Sequence, residues 1–235
     1  MRIIALLKQV PDPAQIGVAR STGVLYEKSK RILNPADEYV LEMASTLKAS
    51  SGAEFVALAA GPETTVEVLR RAYAFGADAA YHVLEDLDEG NRFAKARVLA
   101  EAIRRIATDR GPVTLILAGP GSPAWGTGQT AVRVAADLDF HQALRARSVK
   151  LIAAEGQLDV VVEQGGEERT VQVSLPALVT VDPAANKPRI PNAMLLMKAF
   201  KREITQLTPA GLGLAPDRLA AGGHAIRLVR AYAPE

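Results

Sequence analysis

The chain has 235 residues, 49% of them hydrophobic, which suits one large domain, or one domain with appendages, with a substantial core. It has no cysteine, which excludes a disulfide framework, a Cys-based zinc site and a thiol nucleophile. Its net charge of +2 and 5% aromatic content argue against a nucleic-acid surface.

Residues 2–10 predict a strand, with Ile3 to Leu7 apolar without a break, as a strand covered on both faces of a parallel sheet requires. Lys8 stands at its carboxyl end, the side of an open α/β sheet where ligands bind. It is either an anion partner or a solvated strand end. Pro11-Asp12-Pro13 turns the chain, and residues 14–33 are irregular and polar, long for a strand-to-helix connection. Asn34-Pro35-Ala36-Asp37-Glu38 predicts a helix start, with Asn34 as N-cap, Pro35 in the first position and two acids in the first turn. The N–H groups there are either capped by the chain itself or shared with a ligand. Val40, Met43, Ala44 and Leu47 continue a buried stripe.

Residues 54–61 predict a second strand ending in Gly61-Pro62. Residues 64–75 predict a helix with Val66, Leu69 and Tyr73 inward and Gly76 past its end. A third strand spans 79–84, with His82 read as a packed histidine. A long amphipathic helix over 91–110 turns Ala96, Leu99, Ala100, Ile103 and Ile106 inward and stops at Gly111-Pro112. Residues 113–118 are again an unbroken apolar strand. A loop with Gly119, Gly121, Gly126 and Gly128 follows, and then a helix over 130–138. Strand, glycine-rich loop and helix N-terminus are the parts of an anion site, because close backbone N–H groups and the helix end both favour negative charge. Thr127, Gln129 and Thr130 add side-chain donors. The same parts also make a plain tight turn. Alternation of strand and helix over 1–138 predicts a parallel sheet with helices on both faces.

After Asp139 the pattern changes. Residues 143–152, 158–163 and 169–175 predict strands with turns at Glu155-Gly156 and Gly165-Gly166, and the alternation of Val171, Val173 and Leu175 suits a half-buried antiparallel strand. Residues 177–181 predict one more apolar strand, in an extension of the first sheet or a second layer. Residues 187–204 set Met194, Leu195, Leu196, Met197 and Phe200 beside Lys198, Lys201 and Arg202. This is either an adaptable partner-binding surface or a helix packed into its own core. Residues 205–235 hold many Pro and Gly but also leucines, and read as an arm that packs on something. No apolar run reaches the roughly 18 residues of a membrane span. The opening residues do not read as a signal peptide, so a cytoplasmic location is expected.

No P-loop lysine-serine pair, GxSxG, HExxH or GxGxxG after the first strand is present, and the three histidines lack metal-ligand spacing. Where an ATP-cleaving ligase of this fold would carry a glycine-serine loop, this chain has Val10-Pro11-Asp12-Pro13. A nucleotide site and an arm without a catalytic set suggest a subunit.

With Ala5-Leu6-Leu7-Lys8-Gln9-Val10, Asn34-Pro35, Gly61-Pro62, Thr127-Gly128-Gln129, Leu138-Asp139-Phe140, the stretch from Gly165-Gly166 to Thr180, Pro188-Arg189 and Met197-Lys198-Ala199 in that order, the chain resembles the β subunit of electron-transfer flavoprotein over nearly its full length. The resemblance implies a mostly parallel, doubly wound, Rossmann-like α/β domain over 1–186. An antiparallel β extension starts near 143, a partner-recognition segment covers 187–204, and an arm over 205–235 packs on the partner. It implies a heterodimer with an α subunit that holds most of one FAD, and a structural AMP in this chain. It also implies electron transfer from dehydrogenases such as acyl-CoA dehydrogenases to a membrane quinone oxidoreductase, relevant to fatty acid oxidation. No catalytic residue and no metal are expected here.

By the same resemblance the AMP contacts are Leu6, Lys8, Asn34, Pro35, Ala36, Asp37, Ala60, Gly61 and the run Ser122, Pro123, Ala124, Trp125, Gly126, Thr127, Gly128, Gln129 and Thr130. Partner docking falls to Arg189, Met194, Leu195, Leu196, Met197, Lys198 and Lys201. The sequence departs from the family at Ser122-Pro123-Ala124-Trp125, where acidic and polar residues are usual, and at Arg169, where an acid or amide is. Pro13 and Ala36 replace aromatic residues that come near the flavin, so no side chain here is assigned to flavin chemistry. The alternatives are a nucleotide-hydrolysing or adenylyl-transferring enzyme, and a free-standing nucleotide sensor of the universal-stress-protein type.

Overall fold

The apolar run at the N-terminus becomes the middle of a sheet. In the computed structural model, which describes residues 1–18, 25–27, 30–87, 91–122, 128–191, 193–215 and 219, the first strand is β1 (Arg2–Leu7), buried along its whole length. There follow β2 (Gln9–Pro11), β3 (Ile16–Val18), β4 (Leu25–Glu27), β5 (Arg31–Leu33), α1 (Pro35–Ser51), β6 (Glu54–Gly61), α2 (Val66–Ala74), β7 (Ala79–Leu84) and α3 (Arg92–Arg110). Then come β8 (Leu115–Ala118), α4 (Gln129–Leu138), β9 (His141–Ile152), β10 (Gln157–Gln164), β11 (Glu167–Ser174), β12 (Ala177–Val181), α5 (Ala193–Phe200) and β13 (Thr205–Leu207).

The main sheet runs β11-β10-β9-β12-β8-β1-β6-β7-β13. Pairings from β9 across to β13 are parallel, and the β9–β10 and β10–β11 pairings are antiparallel. Successive side chains of β1 point to opposite faces. Ile3, Ala5 and Leu7 therefore join the core under α1 and α2, and Ile4 and Leu6 join the core under α3 and α4. The chain leaves β1 toward β6 on one side and later returns to β8 on the other. The topological switch point lies between β1 and β8, which pair from Ile3↔Leu115 to Leu6↔Ala118.

Several expectations change. The strand expected over 2–10 splits at Lys8, whose N–H donates to Asp37 Oδ2 and whose carbonyl accepts from Asn34 N–H. The next residues leave the main sheet as β2 and pair with β5. Residues 14–33 are thus not all irregular: the β2–β5 pair closes the loop at its base and β3 pairs with β4 further out. In β11 the alternation is real, but only Val173 is buried, because the ribbon projects from the end of the sheet. The stretch read as an arm begins inside this chain. Thr205–Leu207 pairs with β7 as the edge strand, and Leu207, Leu212, Leu214 and Leu219 pack in the α3 core. Residues 216–218 and 220–235 lie outside the described residues.

Candidate functional site

The glycine-rich loop leaves β8 at the switch point, and the cleft it borders lies there. The cleft encloses about 150 Å³ between the carboxyl ends of β1, β6 and β8. Three helix N-termini meet at it. α1 contributes Asn34 and Asp37, α4 contributes Gln129 and Thr130, and α3 contributes Arg92 and Lys95. Arg92 donates to the Gln129 side-chain oxygen at 3.1 Å, joining the starts of α3 and α4. Converging helix N-termini and cations suit an anion.

Asp37 is the hub of this rim. It is buried, and its carboxylate accepts from the Lys8 N–H at 2.7 Å and from the Asn34 amide at 2.9 Å. The same Asn34 amide nitrogen donates to the Gly121 carbonyl at 3.0 Å, which ties the loop to α1. Burial pushes the Asp37 carboxyl up from 3.8 to about 7, against the pull of the Lys8 N–H, the Asn34 amide and the Lys8 ammonium. Gly119 is required here because a Cβ would stand 2.4 Å from Asp37 Oδ1. Gly128 starts α4 with φ 61°, and a Cβ there would meet the Pro120 carbonyl at 2.5 Å. The Asn34 side chain is not the expected helix cap; it is spent on Asp37 and the loop.

Leu6, Lys8, Asn34, Asp37, Ala60, Gly61, Ser122, Gly128, Gln129 and Thr130 all line the cleft. Pro35 instead borders a second cavity beside α2, and Ala36 packs beneath Gly119, so neither lies on the cleft wall. Pro123, Ala124, Trp125, Gly126 and Thr127 lie outside the described residues. Thr65, Arg31, Arg92 and Lys95 were missed. Each looks locally like a turn residue or a solvated cation, and only the strand order brings them together. Leu99, expected in the core, is half-buried on the cleft wall. Two buried oxygens of lining residues, Asn34 Oδ1 and Thr65 Oγ1, have no hydrogen-bond partner among the described residues. His82 is packed as expected: it is buried, with Nε2 3.0 Å from the Gly61 carbonyl. A carbonyl only accepts, so that nitrogen carries the proton.

A second surface lies on α5. Met194 (60% exposed), Leu195 (47%), Met197 (72%) and Phe200 (71%) face outward, and Ala199 is buried. A helix packed into its own core is therefore overturned. Leu196 is half-buried, and Lys198 and Lys201 are exposed. Arg189 forks onto Glu42, with Nε to Oε2 at 2.7 Å and Nη2 to Oε1 at 2.6 Å. Its guanidinium thus ties the segment to α1.

Fold and site define a Rossmann-like α/β protein with an anion-suited cleft on its carboxyl rim and an antiparallel ribbon at one end. The model of the electron transfer flavoprotein domain family matches residues 22–212. The electron transfer flavoprotein subunit beta of Megasphaera elsdenii is 32% identical, aligned over all of this chain and 88% of its own. Subunit CarD of the caffeyl-CoA reductase-Etf complex of Acetobacterium woodii is 29% identical, over all of this chain and 88% of its own. Protein FixA of Bradyrhizobium diazoefficiens is 29% identical, over all of this chain and 83% of its own. The chain belongs to the electron-transfer flavoprotein β-subunit family. Among the described residues no helix is long and apolar enough to cross a membrane, and no group of three or more His, Asp or Glu could hold a metal.

Proposed function

We propose that this chain is the non-catalytic β subunit of a heterodimeric electron-transfer flavoprotein, with a structural AMP in the rim cleft and FAD held mainly by an α subunit. The observation that carries the nucleotide reading is the convergence of three helix N-termini with Lys8 on the cleft, which suits a phosphate. Two lining residues, Asn34 and Thr65, also hold buried oxygens without a hydrogen-bond partner among the described residues. AMP itself supplies no redox chemistry; its role is to complete the rim that the Asn34–Asp37 network organises. The α5 face docks dehydrogenases such as acyl-CoA dehydrogenases in the cytoplasm, and the complex passes their electrons toward a membrane quinone oxidoreductase. The caffeyl-CoA reductase named with one relative is consistent with donors and acceptors that work on CoA thioesters.

Arg31, Arg92 and Lys95 favour a second reading. They line the cleft together with Lys8, and Lys95 also pairs with Glu85 at 3.5 Å. A nucleotide with a pyrophosphate would use them. Denaturing the purified heterodimer decides: one AMP and one FAD per complex supports the AMP reading. A pyrophosphate-containing nucleotide in place of AMP supports the second. No nucleotide beyond the partner's flavin, or an ATP that turns over, overturns both.

A further inference from the structure

α5 has eight residues and only Ala199 is buried. A helix that short is not stable by itself, and one alanine cannot fix which face it turns outward. Polar contacts hold it instead. Arg70 of α2 donates through Nη1 to the Ala199 carbonyl at 2.7 Å and also to the Arg202 carbonyl. The Ala199 carbonyl is in the last turn of α5, where carbonyls lack intrahelical donors, and it also accepts from Arg202 N–H at 3.2 Å; the Arg202 carbonyl lies two residues past the helix. Tyr73, one turn on from Arg70, donates its hydroxyl to the Glu203 carbonyl. Arg202 reaches the opposite way: its guanidinium donates to the Asp78 carbonyl and stacks 4.4 Å from the Tyr73 ring. In the segment before the helix, Arg189 N–H and guanidinium both bind Glu42 of α1. The Asn186 amide donates to the Tyr39 carbonyl at 3.0 Å. Polar straps thus tie the end of α5 to α2 and the segment before it to α1, with Leu195, Met197 and Phe200 turned outward.

We propose that Arg70 is the positioning residue of the docking face: it caps α5 from α2, and so presents the apolar stripe to the dehydrogenase already ordered. Ordering a segment on binding weakens affinity, and pre-organisation removes that loss. Arg70 itself contacts no partner in this scheme. The inference rests on the docking reading above.

The test uses the intact FAD-loaded heterodimer, with an acyl-CoA dehydrogenase as electron donor and the heterodimer as the varied substrate. Arg70→Met is expected to raise KM for the heterodimer about tenfold, equivalent to one charge-assisted hydrogen bond, with kcat and nucleotide content unchanged. Amide exchange over residues 196–203 should quicken by about the same factor. Arg70→Lys, which keeps a donor, should recover part of both. Leu195→Ala and Phe200→Ala separate the two readings. If they raise KM and Arg70→Met leaves KM and exchange at wild-type values, the strap inference is overturned. If they leave KM unchanged, the docking reading fails, and faster exchange in Arg70→Met would show a strap with no docking role, overturning the proposal as well.

Discussion

Gly119→Ala probes the contact on which the cleft rim turns. The new Cβ would stand 2.4 Å from Asp37 Oδ1, 3.4 Å from Ala36 Cβ and 3.4 Å from Asn34 Nδ2. Ordinary contact begins near 3.4 Å, so the carboxylate or the loop must move by roughly 1 Å, and Ala36 and Asn34 block easy retreat. The carboxylate is held at 2.7 and 2.9 Å by two N–H donors. Losing one costs about 1.5–3 kcal/mol, and the overpacking adds about 1–3. A total of about 2.5–6 kcal/mol lowers the thermal midpoint on the order of 10 °C for a chain of this size. The assay is a thermal melt of the purified complex with its nucleotide content. The cleft nucleotide is expected to fall before the flavin does. Asp37→Ala supplies the cycle: with the carboxylate gone, Gly119→Ala should cost under about 1 kcal/mol more. A variant that melts within about 2 °C of wild type and keeps its nucleotide refutes the steric account. So does an equal loss in both backgrounds.

Asp37 also sets a pH dependence. Its folded pKa of about 7 lies above its ordinary 3.8, so between those values the folded state binds more protons and stability falls as pH rises. The full separation is worth about 4 kcal/mol at roughly 1.4 kcal/mol per unit. Urea midpoints from pH 4.5 to 8 should show the decline, and Asp37→Ala should flatten it; an unchanged slope in the variant would assign it elsewhere. At the docking face, Leu195→Ala, Lys198→Glu and Lys201→Glu should each slow electron transfer from a dehydrogenase while AMP and FAD stay bound. Wild-type rates in all three would remove α5 from docking.

Much of the fold was legible because local pattern reports burial. The unbroken run Ile3–Leu7 could only be a strand covered on both faces, and β6, β7 and β12 fall where apolar residues and their flanking turns put them. The rim loop announced itself through its glycines. Lys8, Asn34 and Asp37 were legible as residues beside a strand end and at a helix start. The split at Lys8 was not, since a strand-like run cannot show that a side chain 29 residues away will take its N–H. Nor was the true use of Asn34, whose amide meets Gly121 across 87 residues.

By itself, then, the sequence determined the main-sheet strands β1, β6 to β12 and the helices α1 to α4, and where the glycine-rich loop and helix starts lie. Periodicity and turn chemistry act over a few residues and need no partner. Tertiary structure alone decided which elements cover which. That choice set the switch point between β1 and β8 and brought Arg92 and Lys95 to the cleft. It buried Asp37 far enough to shift its proton equilibrium, and it left the apolar stripe of α5 in the open. Desolvation and exposure depend on neighbours distant along the chain, and no local pattern records them.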